Sequence, residues 1–163
     1  MANLYIMCGV PGAGKSTFLK NHVKNAVIVS RDEIRFSKLL PNEEYFSHEK
    51  TVYKDFCDII NKHLAEGRDV FADQTSLTVG SRKKLLDSIK GYNHVNIVWI
   101  DENLEICLER NEYRKGTRSY VPREVIKKMF NSLEEPTLNE GFYRIFHYNS
   151  KEDKIIYKGE KIK

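Results

Sequence analysis

The sequence predicts an α/β protein in which a central parallel sheet carries helices on both faces. Three observations predict it. Short, nearly continuous apolar runs alternate with amphipathic ones along the chain, as buried parallel strands alternate with crossover helices. The 163 residues suffice for one domain, 1–163, with one core. The first apolar run leads directly into Gly9-Val10-Pro11-Gly12-Ala13-Gly14-Lys15-Ser16-Thr17, a G-x-x-x-x-G-K-[ST] loop of the kind that joins a strand to a helix around phosphate.

The elements follow in order. Asn3–Cys8 is the first strand and Lys15–Lys24 the first helix. Ala26–Ser30 is a short buried strand. Ser47–Glu66 is a long helix, because Val52, Phe56, Ile59, Ile60 and Leu64 recur at helical spacing and Gly67 stands where a C-cap belongs. Val70-Phe71-Ala72 is the third strand, ending at Asp73, and Ser81–Ile89 is a helix closed by Gly91. Val95–Ile100 is almost wholly apolar and makes the fourth strand. A helix begins over Asn103–Arg110, and another covers Pro122–Leu133 with proline at its favoured first position. Phe142–Tyr148 is the last core strand and Lys154–Tyr157 an edge strand. No internal repeat or linker interrupts this order. In such sheets ligands collect beyond the carboxyl ends of the strands, so the chemical residues are expected just after them.

Composition narrows the function classes. With 40% hydrophobic and 31% charged residues the chain reads as globular, and no apolar run nears the ~20 residues that span a bilayer. The amino terminus lacks a secretory pattern. Cys8, Cys57 and Cys107 have no C-x-x-C spacing, which fits small buried hydrophobes in a reducing, cytoplasmic setting. The histidines form no H-E-x-x-H pair and are read as structural or exposed. A net charge of +4 is modest, and part of it sits on the tail residues Lys158, Lys161 and Lys163. That charge alone is weak evidence for a polyanionic partner.

Three segments carry candidate chemistry. In the loop, Gly9, Gly12, Ala13 and Gly14 free backbone N–H groups to curl around a polyphosphate, Lys15 reaches the terminal phosphates, and Ser16, with Thr17 beside it, offers a hydroxyl to Mg²⁺. After the second strand stands Arg31-Asp32-Glu33-Ile34-Arg35. Asp32 reads equally as a helix-start residue that complements the dipole and as a general base for an attacking hydroxyl, with Arg35 gripping an anionic group of the acceptor; Glu33 is the rival base. After the third strand, Asp73-Gln74-Thr75-Ser76 ends a buried strand with a carboxylate that can position Mg²⁺ or its waters, against the alternative of a turn-forming Asp. Thr75 and Ser76 face phosphates or acceptor, and the sequence leaves that choice open.

The richest basic stretch, Arg110 to Arg118, contains Arg110 and Arg114 at a four-residue spacing and breaks at Gly116-Thr117. An anion between the two arginines relieves their repulsion, and a mobile lid over about 110–121 is expected. No N-K-x-D signature stands where a GTPase needs it, since Asn61-Lys62-His63-Leu64 lacks the aspartate. Tyr45, Phe46 and Tyr53 are possible stacking residues but read rather as cover for the helical region.

Together these motifs resemble the polynucleotide 5′-hydroxyl kinases. Gly9–Thr17 resembles their G-x-P-G-x-G-K-S-T, Arg31-Asp32-x-x-Arg35 their R-D-x-x-R, and Asp73-x-Thr75 their D-x-T. Arg110-Asn111, Arg114-Lys115-Gly116-Thr117 and Val121-Pro122 resemble their lid, and Pro136-Thr137-x-x-Glu140-Gly141-Phe142 a late segment of the animal and bacterial members. The resemblance implies a P-loop kinase fold, ATP and Mg²⁺, and single-stranded or end-exposed nucleic acid as acceptor. It implies Lys15 and Ser16 on the β/γ-phosphates and metal, Asp32 as base, Arg35 on the acceptor phosphate, Asp73 near Arg35 and the metal, and Arg114 with Arg110 over the donor phosphates. The lid spacing differs by about a residue from phage members, and the phosphatase motif that many members carry is absent. A small-molecule kinase acting on a nucleoside, nucleotide or sugar is the rival reading, and a nucleotide-dependent regulatory module a third.

Overall fold

The computed structural model describes residues 2–158, and strands and helices alternate through it. They are β1 (Leu4–Cys8), α1 (Lys15–His22), β2 (Val27–Ser30), α2 (Arg31–Lys38), α3 (Glu49–Ala65), β3 (Val70–Asp73), α4 (Val79–Ser88), β4 (Val95–Ile100), α5 (Leu104–Glu112), α6 (Arg123–Ser132), β5 (Arg144–Asn149) and β6 (Lys154–Lys158). The sheet order is β2-β3-β1-β4-β5-β6. The first five strands are parallel, and β6 pairs antiparallel with β5 as an edge.

Side chains alternate across each strand, so the sheet presents two apolar faces. Leu4, Ile6 and Cys8 join Phe56, Ile60 and Leu64 of α3 and Leu85 of α4 in one buried cluster. Met7 joins Phe18 and Leu19 of α1, Val98, Ile100 and Cys107 of α5 in the other, with Met129 and Phe130 of α6 against it. The sheet is therefore covered by helices on both sides, as the apolar strands require. All three cysteines are buried. No helix among the described residues is long and apolar enough to cross a membrane.

Several boundaries differ from the sequence expectation. The segment after β2, where the sequence offers only a helix start at Asp32 as one of two readings, is a full helix, α2, because Ser30 caps it by accepting from the Glu33 N–H at 3.2 Å and Asp32 and Glu33 load its first turn. Pro122 caps α6 instead of opening it. Thr78 starts α4 at Val79 through a reciprocal box with Ser81. Helix α5 ends at Glu112, so Arg114 lies in the turn beyond it, its N–H bonded to the Asn111 carbonyl at 2.9 Å. The two lid arginines therefore do not share a helical face. Lys161 and Lys163 of the basic tail lie outside the described residues.

A buried arginine fixes the carboxyl end of the sheet. Arg82 is fully buried and grips Glu140 through two bonds of 2.8 and 3.1 Å, while also donating to the carbonyls of Ser76 and Glu134, each at 3.0 Å. It thereby ties the loop after β3 to the segment before β5. Glu140 in turn accepts from the Thr137 N–H at 2.9 Å. In this chain the Pro136–Phe142 motif is part of that clamp.

Candidate active site

The loop between β1 and α1 forms an anion cradle. Gly12 and Gly14 adopt φ of +84° and +114°, a region that side chains disfavour. Neither has room for one: a Cβ on Gly12 would come within 2.5 Å of the Cys107 carbonyl, and one on Gly14 within 2.6 Å of Ser150. The Gly9 N–H donates to the Thr75 carbonyl at 3.0 Å, which holds the cradle against the loop after β3. The N-terminus of α1 points its free N–H groups at the same space. Lys15 Nζ donates to the carbonyls of Gly9 and Val10 at 2.7 and 3.1 Å, within the loop itself. Burial pushes its pKa down; Asp73 opposes this, Arg114 adds to it, and Asp32 opposes it.

The far wall comes from α5 and the end of β5. A cavity of ≈ 190 Å³ is lined by Gly12, Gly14, Ser16, Thr17, Arg110, Arg114 and Ser150. Arg110 donates to the Gly12 and Ala13 carbonyls, each at 3.2 Å, and to Ser150 Oγ at 2.7 Å. Buried Glu102 accepts from Ser150 Oγ and from the Lys151 N–H, each at 3.1 Å. Asn111 is buried and closes the base of the lid, donating to the Val121 carbonyl at 2.6 Å and accepting from the Val121 N–H at 3.1 Å. Arg110 and Arg114, the two expected lid arginines, thus face the cradle together.

The third wall is the α2 side. Ser30 and Asp73 are register partners on β2 and β3, so Asp32 sits just above the end of the strand that carries Asp73. Burial raises the Asp73 pKa, Lys15 pulls it back, and the charges of Asp32 and Glu33 raise it further. The charges of Asp32 and Asp73 therefore both reach Lys15. A cation suits this donor set: the Asp73 carboxyl is pushed up by burial and like charge with Lys15 alone opposing, and the Ser16 hydroxyl stands exposed at the loop mouth. The Thr75 side chain is half-buried beside it, with its carbonyl committed to Gly9.

Arg35 is placed differently from the sequence expectation. It is only 5% exposed, and its guanidinium is occupied by protein groups rather than open to an acceptor. It donates to Glu49 at 2.8, 3.0 and 3.1 Å, to Tyr45 Oη at 2.6 Å, and to Asp32 Oδ1. Tyr45 Oη also donates to Asp32 Oδ1, and the Arg35 guanidinium lies 4.2 Å from the Tyr45 ring centroid. Arg31 joins the same network, donating to Glu49 and, at 2.7 Å, to Gln74. Burial works against the charge of Glu49, yet the bonds and charges of Arg35 and Arg31 hold its carboxyl below the usual range.

The sequence does not single out Glu49 or Ser150; it offers Tyr45 only as a possible stacking residue and Asn111 only within the lid resemblance, and neither with the contacts found here. Glu49 reads as an ordinary first-turn acid of α3, and its partners lie 14 and 18 positions upstream. Of the three aromatics read as cover, Tyr53 does pack against the core, whereas Tyr45 and Phe46 are exposed.

Comparison with known proteins adds the following. The family model described as AAA domain matches residues 4–136. The L-seryl-tRNA(Sec) kinase of Methanococcus maripaludis is 30% identical over 140 residues, 82% of this chain and 53% of that protein. The chain spans about half or less of the length of the curated relatives it matches. The Pnkp1/Rnl/Hen1 RNA repair complex contains a chain that superposes with a TM-score of 0.67 at 23% identity, over 81% of this chain and 44% of that one. A gluconokinase from Sinorhizobium meliloti 1021 superposes with a TM-score of 0.53 at 19% identity, over 82% of this chain and 76% of that one. At these identities the two structures bear on the fold alone, which is that of P-loop kinases.

Proposed function

This chain belongs to the AAA domain family, as a P-loop kinase-like domain, and from that premise we propose that it transfers the γ-phosphoryl group of ATP to the 5′-hydroxyl of a DNA or RNA end. One observation carries the reading: Ser30 and Asp73 pair at the ends of β2 and β3, which brings Asp32, just after Ser30, near enough for its charge to act on both Asp73 and the buried Lys15 of the cradle. A kinase needs that juxtaposition, because catalysis of phosphoryl transfer is mainly positioning and charge neutralisation.

In this reading the loop N–H groups and Lys15 hold the β- and γ-phosphates, and Arg114 and Arg110 cover them from the lid. Asp32 accepts the proton of the 5′-hydroxyl as the new O–P bond forms; the bond from the γ-phosphorus to the bridging oxygen breaks, and ADP leaves with that oxygen. Arg35 and Tyr45 fix Asp32 Oδ1. Ser16 and Asp73 would hold Mg²⁺, which when bound neutralises phosphate charge. The kinase relatives support a phosphotransferase. The neighbour from an RNA repair complex and the relative named for seryl-tRNA support a nucleic-acid acceptor.

A small-molecule acceptor is the second reading, and a specific feature favours it. The α2 flank carries Asp32, Glu33, Glu43, Glu44 and Glu49 against Arg31, Arg35, Lys38 and Lys50, and Arg31, Arg35 and Lys38 are already paired with carboxylates, which disfavours a polyanion there. An acceptor panel separates the two. With γ-labelled ATP, a 5′-hydroxyl oligonucleotide becomes labelled while gluconate and free nucleosides do not. Label on a sugar or nucleoside, with none on the oligonucleotide, replaces the first reading by the second.

A further inference from the structure

We propose that the α2 flank holds an aromatic subsite, centred on Phe46, that takes the heteroaromatic base of the nucleotide whose hydroxyl is phosphorylated; this deepens the polynucleotide reading and rests on it. Phe46 is 67% exposed, an unusual exposure for a phenylalanine beside a candidate general base. It meets Tyr45 edge-to-face, with ring centroids 4.7 Å apart at 90°. The Tyr45 hydroxyl in turn bonds Asp32, so the aromatic pair and the base form one continuous surface.

The charges of this flank direct the choice of ligand group. Arg35 and Arg31 are both engaged by Glu49, so neither guanidinium is offered outward as a phosphate clamp. What the flank does offer beside Asp32 is the Phe46 ring: the Arg35 guanidinium lies 5.7 Å from its centroid on one side, and the rest of the ring is exposed. On the same side, Arg118 of the lid lies 4.3 Å from the centroid of Phe36, and Phe36 contacts Tyr45 at 6.1 Å. Arg118 is an exposed cation at that corner. The subsite thus reads a base by stacking on Phe46 and its adjoining phosphate by Arg118, an arrangement that binds single strands with little sequence preference. A sugar or other acceptor without a ring gains nothing from Phe46.

The test uses the whole chain with two 5′-hydroxyl oligonucleotides, identical except that one carries an abasic 5′-terminal nucleotide. Wild type, Phe46→Ala and Phe46→Trp are compared for KM of each acceptor and of ATP. Phe46→Ala raises KM for the base-bearing end roughly 10- to 100-fold, as loss of one stacking contact implies. It leaves KM for ATP and for the abasic end within about twofold, and Phe46→Trp restores wild-type behaviour. Equal KM in wild type and Phe46→Ala, or the same loss on both ends, overturns the subsite while leaving the polynucleotide reading intact. If wild type labels neither oligonucleotide, the reading and the subsite fall together.

Discussion

Asp73, proposed above to hold Mg²⁺, costs the fold stability when it is ionised. Its pKa is raised by burial and by the charges of Asp32 and Glu33. The folded protein therefore holds the Asp73 proton more tightly than the unfolded chain does. Asp73 costs stability as pH rises past its unfolded value, and the full cost is present above the folded value. Asp73→Asn is accordingly expected to raise Tm at about pH 7, with the gain shrinking toward acid, and to weaken ATP binding in the presence of Mg²⁺. Melting curves across pH, with nucleotide titrations, check both. Glu49 acts through its neighbours: without it Arg35 and Arg31 lose their shared anchor. Glu49→Ala should lower kcat about tenfold or more through mispositioned Asp32, with KM for ATP unchanged, and Glu49→Ala combined with Arg35→Ala should cost less than the sum of the two. Steady-state kinetics of the three variants measures this. Of these residues, Lys15, Ser16 and Asp73 were legible in the sequence, because a contiguous motif or a strand end names them. Glu49 was not, because its role exists only once α3 is folded back on α2, and no local pattern records that packing.

At the scale of elements, the site depends on how loops are pinned. The β1–α1 loop is held by Gly9 to the loop after β3, and that loop is held by Arg82 to Glu140 and the Ser76 carbonyl. Removing one partner of such a buried pair leaves an unpaired charge in the interior. Arg82→Met is expected to cost about 3–5 kcal/mol, read as a fall in the urea midpoint, and the surviving fold should bind ATP more weakly because Thr75 no longer anchors Gly9. The strands themselves were legible from apolar runs such as Val95–Ile100, and α3 from its helical spacing. The start of α2 was harder. Its two apolar residues, Ile34 and Phe36, stand two positions apart and so do not show helical spacing, and Ser30 with the two acids after it is the clearest helix signal. The four-residue spacing of Arg110 and Arg114 suggests one helical face, but α5 ends at Glu112, before Arg114, and a turn follows over 113–116 in which Gly116 adopts a φ of +87°.

For the whole molecule, the sheet order is what makes a site of these parts. With β3 between β1 and β2, the carboxyl ends that carry Gly9, Arg31 and Gln74 lie side by side. That order was not written in the sequence, which shows alternation but not adjacency; the position of Asp73 after a buried strand was the one clue. The charge layout is uneven too: on the α2 flank Arg31, Arg35 and Lys38 are paired with carboxylates, whereas the lid carries Arg114, Lys115 and Arg118. If the lid carries a nucleic-acid acceptor by its phosphates, KM for the oligonucleotide should climb steeply with salt while KM for ATP moves little, and an acceptor KM indifferent to salt would argue for an uncharged substrate. The account as a whole is tested most directly by measuring γ-phosphoryl transfer to a 5′-hydroxyl oligonucleotide by wild type and Asp32→Asn, with ATP affinity determined on the same preparations. Unchanged ATP affinity with transfer slowed at least ~100-fold is the predicted result; transfer by Asp32→Asn at the wild-type rate would contradict it.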